Sequence, residues 1–405
     1  MLPIRNRNIN AYNTILTMLT NKTLIPVFQP DYDHRETKAV TEVLKSGWIG
    51  LGPKTEEFEK KFAQSVGSPY AIALNSATAA LHLSLLAAGI GKGDEVIVPS
   101  LTFVSTAHAV LYVGAKPVFA DIDKDTLCID PADVIKKITK KTRAIIPVHY
   151  GGHPCDMDAL NAIANDHKLT IIEDASHACG SSYHGKKIGS ISPFTCFSFH
   201  AVKNLATGDG GMITVKDKTV AQHLRKLRWV GINKDTWDRL EVVSGEKSYR
   251  GYGWYYEVEE LGYKCHMNDI TAAIGLVQLQ KLESSNALRR SLAKRYTRAL
   301  ETLSQIICPT IQPHMITAQH NYVIRCNDRD KLHLYLRDLG ISTGVHYMPV
   351  HLQPYYKKRH PNIRLSITES VWPNLLTLPL YPQLTEKKQD YILACIKKYY
   401  RQNNI

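Results

Sequence analysis

No apolar stretch in this chain of 405 residues comes near the roughly 20 residues that a bilayer-spanning helix requires. The eight cysteines (Cys128, Cys155, Cys179, Cys196, Cys265, Cys308, Cys326 and Cys395) are widely spaced and form no CxxC pair. Reduced, mostly buried thiols in a reducing compartment are therefore expected. There is no internal repeat, no low-complexity segment and no compact zinc pattern such as HExxH. Acidic residues are also short: 37 against 50 lysines and arginines, a formal charge of +13. Apart from KKITKKTR (136–143) and YYKKRH (355–360), the basic residues are scattered, whereas nucleic-acid binders gather theirs into a stripe or tail. Neither nucleic acid nor a membrane is expected as a partner, and a phosphorylated small molecule suits the charge better. Residues 1–24 contain no acid, no apolar core of signal-peptide length and no small-residue cleavage site, so they read as an N-terminal arm on a cytoplasmic protein.

What is present is an ordinary globular composition, 44% hydrophobic and 21% charged, in a chain longer than one compact domain usually is. From residue 25 to 267, amphipathic stretches alternate with short Val/Ile-rich runs: YAIAL after EEFEKKFAQSVG, then DEVIVPS (94–100), KPVFADID (116–123), RAIIPVHY (143–150), LTIIEDAS (169–176) and TCFSF (195–199). That alternation predicts an α/β domain with a largely parallel sheet buried on both faces. From residue 268 a long run with helical spacing of Ile270, Ile274, Val277 and Leu282 leads into shorter mixed elements, predicting a bridging helix and a smaller C-terminal α/β domain over 268–405.

In open parallel sheets, ligands collect at the carboxyl ends of the strands. Four such ends carry chemistry here. In ALNSATAALH, Ser76, Ala77 and Thr78 fall where a strand passes into a helix, which suits either a phosphate cup or simple N-capping. Phe103 follows VIVPS and could stack on a planar ligand or fill the core. LTIIEDASH ends in Glu173 and Asp174, with His177 three residues on; a buried carboxylate needs a cation or several donors. The nearby HYGGHPC (149–155) raises a metal, but its spacing fits no compact zinc site. Lys203 lies in FSFHAVKNLATGDGG, with Ser198 close by and Gly208, Gly210 and Gly211 beyond. A partly desolvated lysine there would be a nucleophile toward carbonyls, able to form a Schiff base; a surface lysine is the plain alternative. Together the four ends match what pyridoxal 5'-phosphate needs: an amine, a carboxylate for the pyridine nitrogen, an aromatic cover and a phosphate cup.

These residues sit in blocks that identify a family. SGWIGLGPKTEEFEKKFA, NSATAALHLSLLAAGIGKGDEVIVPSLTFVSTAHAV, IIEDASHACGSSYHGKKIGS, FSFHAVKNLATGDGGMI and MNDITAAIGLVQL run in order from residue 25 almost to the end. The chain resembles the DegT/DnrJ family of sugar aminotransferases, which have the aspartate aminotransferase fold (fold type I, with a mostly parallel seven-stranded sheet). The resemblance implies Lys203 as cofactor anchor and acid/base, Asp174 against the pyridine nitrogen and Phe103 on the ring. It implies His177 near the phenolic oxygen, and Ser76, Ala77, Thr78 and Ser198 around the phosphate. It also implies a homodimer with shared active sites, in which a partner residue completes the phosphate cup; many relatives have an asparagine there, and LGYKCHMND (261–269) has Lys264. Relatives that dehydrate or deoxygenate carry histidine where this chain keeps Lys203, which favours transamination over the dehydratase alternative and over a non-catalytic regulator. The amino donor is expected to be L-glutamate. The acceptor is expected to be a nucleotide-linked keto sugar, a 4-keto-6-deoxyhexose ahead of a 3-keto sugar. RWVGINKDTWDR (228–239) is expected over the sugar, and His346 or His351 of GVHYMPVHLQPYY against the substrate, with domain packing as the alternative for both histidines.

Overall fold

The computed structural model describes residues 24–233 and 255–402. All but the last residue of the expected N-terminal arm, and residues 234–239 of the expected sugar-covering loop, lie outside them. Strands β1 (Tyr70–Leu74), β2 (Glu95–Pro99), β3 (Lys116–Ala120), β4 (Thr142–Ile145) and β5 (Thr170–Asp174) alternate with helices. A small hairpin, β6 (Ser182–Tyr183) and β7 (Lys186–Lys187), then precedes β8 (Phe194–Ser198) and β9 (Gly211–Val215). The main sheet has seven strands in the order β1-β9-β8-β5-β4-β2-β3, and only β9 runs against the rest. The largely parallel sheet expected from the alternation is therefore present, with the seven strands that the family resemblance implies.

Why the strands read as continuous apolar runs is visible in where their side chains go. Ala71, Ala73, Ile97, Ile171, Phe197 and Met212 enter one hydrophobic cluster, with Phe58 and Phe62. Their neighbours Ile72, Leu74, Val96, Val98, Ile172, Cys196 and Ile213 enter a second cluster on the opposite face. Successive side chains of a strand point to opposite faces, and both faces are covered, so no polar alternation is needed. Each large side chain buried this way is worth roughly 1.5–3 kcal/mol.

Helices α1 (His34–Ser46) and α2 (Pro53–Val66) lie against the long helix Asp269–Leu300, which starts behind the Asn268 cap. Gly275 marks the closest approach: a Cβ there would stand 2.7 Å from Phe58 of α2. Beyond the long helix, β10 (Ile306–Ile307), β12 (Tyr322–Cys326) and β13 (Leu375–Leu378) make a three-stranded antiparallel sheet, while β11 (Met315–Ile316) joins β6. A third core gathers Tyr296, Tyr322, Leu376 and Ile392 around this sheet, and it includes Ile25, which bridges to Ile341. The start of the described chain is thus fastened to its C-terminal part.

One carboxylate holds the first turns of two helices together. Asp269, 1% exposed, accepts from the backbone N–H groups of Gly52 (3.1 Å), Lys54 (3.0 Å) and Thr55 (2.9 Å), and from the Thr55 hydroxyl (2.7 Å). An anion beside helix N-termini is favourably placed, and these N–H groups have no intrahelical acceptor. Asp269→Ala should cost roughly 2–4 kcal/mol through the orphaned donors. Chemical denaturation should show a clearly lowered midpoint, and an unchanged midpoint would contradict this role for Asp269.

Candidate active site

The ends of β1, β2, β5 and β8 and the start of β9 open on one cavity of about 370 Å³ at the carboxyl edge of the sheet. Its lining includes Ser76, Thr78, Phe103, Asp174, His177 and Lys203, and also Ala77, Ser198 and His346. Nine of the eleven residues expected around cofactor or substrate are therefore brought together.

After β1 the chain turns into helix α3 (Ala77–Ala87) with Ser76 as its N-cap, accepting from the Ala79 N–H at 3.1 Å. Capping and a cavity wall turn out to be compatible, because the backbone N–H groups of Ala77 and Thr78 stay without an acceptor among the described residues. Gly211, the first residue of β9, passes so close to this turn that a Cβ would lie 2.4 Å from the Ser76 carbonyl. Only glycine lets the two backbones meet there. The result is a helix N-terminus with open donors, a site that attracts anions. Ser198, buried at the end of β8, adds its hydroxyl to the wall.

The strand ending in Glu173 and Asp174 sends its two carboxylates to opposite faces, as strand geometry demands. Glu173 points into the protein, where His149 Nε2 (2.7 Å), the Ser192 N–H (3.1 Å) and the Thr195 hydroxyl (3.0 Å) satisfy it. That pairing takes His149 out of any open site. Asp174, 4% exposed, faces the cavity and accepts from the Thr106 hydroxyl (2.8 Å) and the Ser176 N–H (3.1 Å). Thr106 in turn meets the Thr102 hydroxyl at 2.8 Å, one turn away across the start of helix α4 (Ser105–Tyr112).

Lys203 follows β8 in a tight turn, its N–H donating to the His200 carbonyl at 2.8 Å. Its ammonium makes no ion pair or hydrogen bond among the described residues, although Asp174 shares the cavity. Burial lowers its pKa from the usual lysine range to about 8, and the Asp174 charge only partly offsets this. This is the environment of a nucleophilic or proton-transferring amine.

His177 is fixed from both sides: its Nδ1 accepts from the Gly151 N–H at 3.3 Å, so the ring proton sits on Nε2, 3.1 Å from the Tyr347 hydroxyl. Burial holds its pKa well below the ordinary histidine value, with Lys203 and His346 adding to the effect. A further ring, His320, stacks on His177 at 4.4 Å between centroids and is held by Asn204 at 2.9 Å. Phe103 is 56% exposed and lies 5.8 Å from the Tyr347 ring, so the core alternative for it is excluded. His346 lines the cavity, hydrogen-bonded to the Thr377 hydroxyl at 2.7 Å, and burial with the nearby Lys203 pulls its pKa down to about 4.

Two residues stand elsewhere. His351 takes the position of the packing alternative: it is buried, with Nδ1 2.6 Å from Ser100 and Nε2 3.1 Å from Glu369, and it does not line the cavity. Lys264 is exposed and outside the cavity of its own chain, with its amine 3.4 Å above the Trp229 ring. The sequence reading missed Tyr347, Thr106 and His320. Tyr347 adjoins His346 in a stretch already singled out, and Thr106 stands four residues after Thr102, one helical turn away.

The donor set fits pyridoxal phosphate. An unpaired amine, a carboxylate held by two donors, an exposed ring and a helix N-terminus with open N–H groups surround one cavity of ligand size.

Comparison with known proteins agrees. The model of the DegT/DnrJ/EryC1/StrS aminotransferase family matches residues 30–397. The spore coat polysaccharide biosynthesis protein SpsC of Bacillus subtilis is 42% identical over 387 residues, covering 92% of this chain and 96% of that protein. The aminotransferase TlmJ from Streptoalloteichus hindustanus superposes with a TM-score of 0.86 at 32% identity, covering 94% of this chain and 100% of TlmJ. Spr1654 from Streptococcus pneumoniae superposes in its PLP form with a TM-score of 0.85 at 33% identity, over 94% of this chain and 99% of that one. Its PMP form gives 0.86 at 34% identity, over 93% and 99%. A cavity with this donor set, in a chain matched almost from end to end, means that the protein belongs to the DegT/DnrJ/EryC1/StrS aminotransferase family and is a pyridoxal-phosphate-dependent aminotransferase.

Proposed function

We propose that the enzyme transfers the amino group of L-glutamate to a keto sugar carried on a nucleoside diphosphate, releasing 2-oxoglutarate. The observation that carries the reading is a single cavity holding the unpaired Lys203 amine, the Asp174 carboxylate and the open N–H groups of Ala77 and Thr78. SpsC, by its name, serves polysaccharide biosynthesis, which supports a sugar as acceptor. The FHAVKN and GYKCHMNDI blocks favour a 4-keto-6-deoxyhexose, with a 3-keto sugar as the second reading. Lys203, where dehydrating relatives have histidine, weighs against dehydration.

Bound pyridoxal phosphate supplies an electron sink next to the carbon that loses its proton. Lys203 Nζ anchors the cofactor and afterwards carries the proton, which its lowered pKa suits. Asp174, oriented by Thr106 and Ser176, keeps a proton on the ring nitrogen. Phe103 covers one ring face, His177 donates toward the phenolic oxygen, and Ser76, Ala77, Thr78 and Ser198 receive the phosphate. Lys264, remote from its own chain's cavity, is assigned to the phosphate of the partner subunit in a homodimer with shared sites. His346 remains the substrate-facing histidine. A cytoplasmic setting agrees with eight free cysteines among the described residues.

Three outcomes are expected. A panel of UDP-, dTDP- and GDP-linked 3-keto and 4-keto sugars, offered with L-glutamate and analysed by mass spectrometry and NMR, should yield an aminated 4-keto sugar; dehydrated product, or none from any member, would contradict the reading. Asp174→Asn should slow turnover by roughly two orders of magnitude while leaving the fold intact; wild-type turnover would remove Asp174 from its assigned role. The rate at which cofactor-free protein takes up pyridoxal phosphate should rise with pH and level off above about 8, as the Lys203 amine becomes neutral. A rise continuing toward the ordinary lysine value of about 10.4 would show that burial does not tune this amine.

A further inference from the structure

A second cavity, of about 400 Å³, adjoins the first and shares Thr102, Phe103 and Tyr347 with it as a common wall. Beyond that wall it is a groove of rings. Tyr356, 1% exposed, forms a rigid base, with His108 stacked on it at 5.7 Å and 22°. Tyr355 stands at the rim, 47% exposed, with the Arg359 guanidinium 3.6 Å from its ring centre. With Phe103 on the shared wall, two large exposed rings thus line one groove. Two polar side chains converge on the groove without hydrogen-bond partners among the described residues: the amide of Gln353 and the imidazole of His108. An aromatic lining with a few open polar groups is the usual make-up of a small-molecule site.

We propose that this groove holds the nucleobase of a nucleoside diphosphate, with Tyr355 as a stacking ring and the Gln353 amide and His108 imidazole reading the base edge. The assignment rests on the proposed transamination of a nucleotide-linked sugar and says where its carrier lies. A keto carbon near Lys203 must be joined through a diphosphate to a base that cannot fit the same cavity, and the adjoining groove is open to it. An amide presents a donor and an acceptor side by side, matching the paired donor and acceptor on a base edge. A π-face is common to every base, so stacking supplies affinity and Gln353 supplies choice. Arg359, with Lys357 and Lys358 in the same short helix, places positive charge next to the diphosphate path.

Isothermal titration of the cofactor-loaded enzyme with UDP, dTDP and GDP tests this. At least one diphosphate should bind the wild type, and Tyr355→Ala should weaken it roughly tenfold. Gln353→Ala and His108→Ala should weaken it as well, Gln353→Ala changing the order of preference among the three bases. The KM for L-glutamate should stay where it is in all three variants, and their cofactor absorbance should report an intact fold. Equal binding to wild type and variants would overturn the groove assignment while leaving the transamination reading in place. If none of the three binds although glutamate still reacts with the cofactor, the nucleotide carrier itself is wrong and the groove falls with it.

Discussion

A lysine amine and an aspartate carboxylate share one cavity and do not touch. Lys203 has no partner among the described residues, and Asp174 is committed to Thr106 and Ser176. Two buried, opposite charges left apart are costly unless something between them uses both. Burial lowers the lysine pKa, and the Asp174 charge offsets only part of that. Much of the surrounding architecture keeps the two groups in place: the sheet fixes their strands side by side, Cys196 opposite Asp174, and the Thr102–Thr106 pair stops the carboxylate from swinging toward the amine.

Around that pair the protein has spread the work over separate elements. The β1–α3 turn offers N–H groups, which Gly211 makes possible by passing within side-chain distance of Ser76. A stack of rings, His177 on His320 and His320 on Phe28, ties the cavity to the start of the described chain and to the C-terminal part. Asn204, next to Lys203 in sequence, holds His320 and reaches Asn286 of the long helix at 2.7 Å. The turn that carries the lysine is therefore tied by hydrogen bonds to the long helix and to His320. The adjoining aromatic groove uses the same economy: Phe103 and Tyr347 serve as a wall for both spaces.

How much of this could be read from the sequence depended on whether position follows from local rules. Strand ends are local, so Ser76, Asp174, Ser198 and Lys203 could be placed on one edge once the alternation was seen, because parallel strands in such a sheet all finish on the same side. Glu173 and Asp174 were ambiguous as a pair, and the pleat decided between them. Phe103 could be core or cover, and only its exposure removes the core reading. The C-terminal stretch was hardest. His346 and His351 belong to one irregular segment with no period to say which faces inward; His346 meets the cavity, whereas His351 is clamped by Ser100 and Glu369 from elements far away in sequence. Tyr347 escaped for the same reason. The attachment of Ile25 to Ile341 is likewise a long-range pairing that no local pattern announces.

The claim on which the account turns is that the ε-amine of Lys203 is the group that binds the cofactor covalently. Borohydride reduction of the cofactor-loaded protein, followed by proteolysis and mass mapping, tests it most directly. The account predicts one reduced pyridoxyl adduct, on the peptide containing Lys203. An adduct on another lysine, or retention of cofactor with no adduct at all, would contradict it.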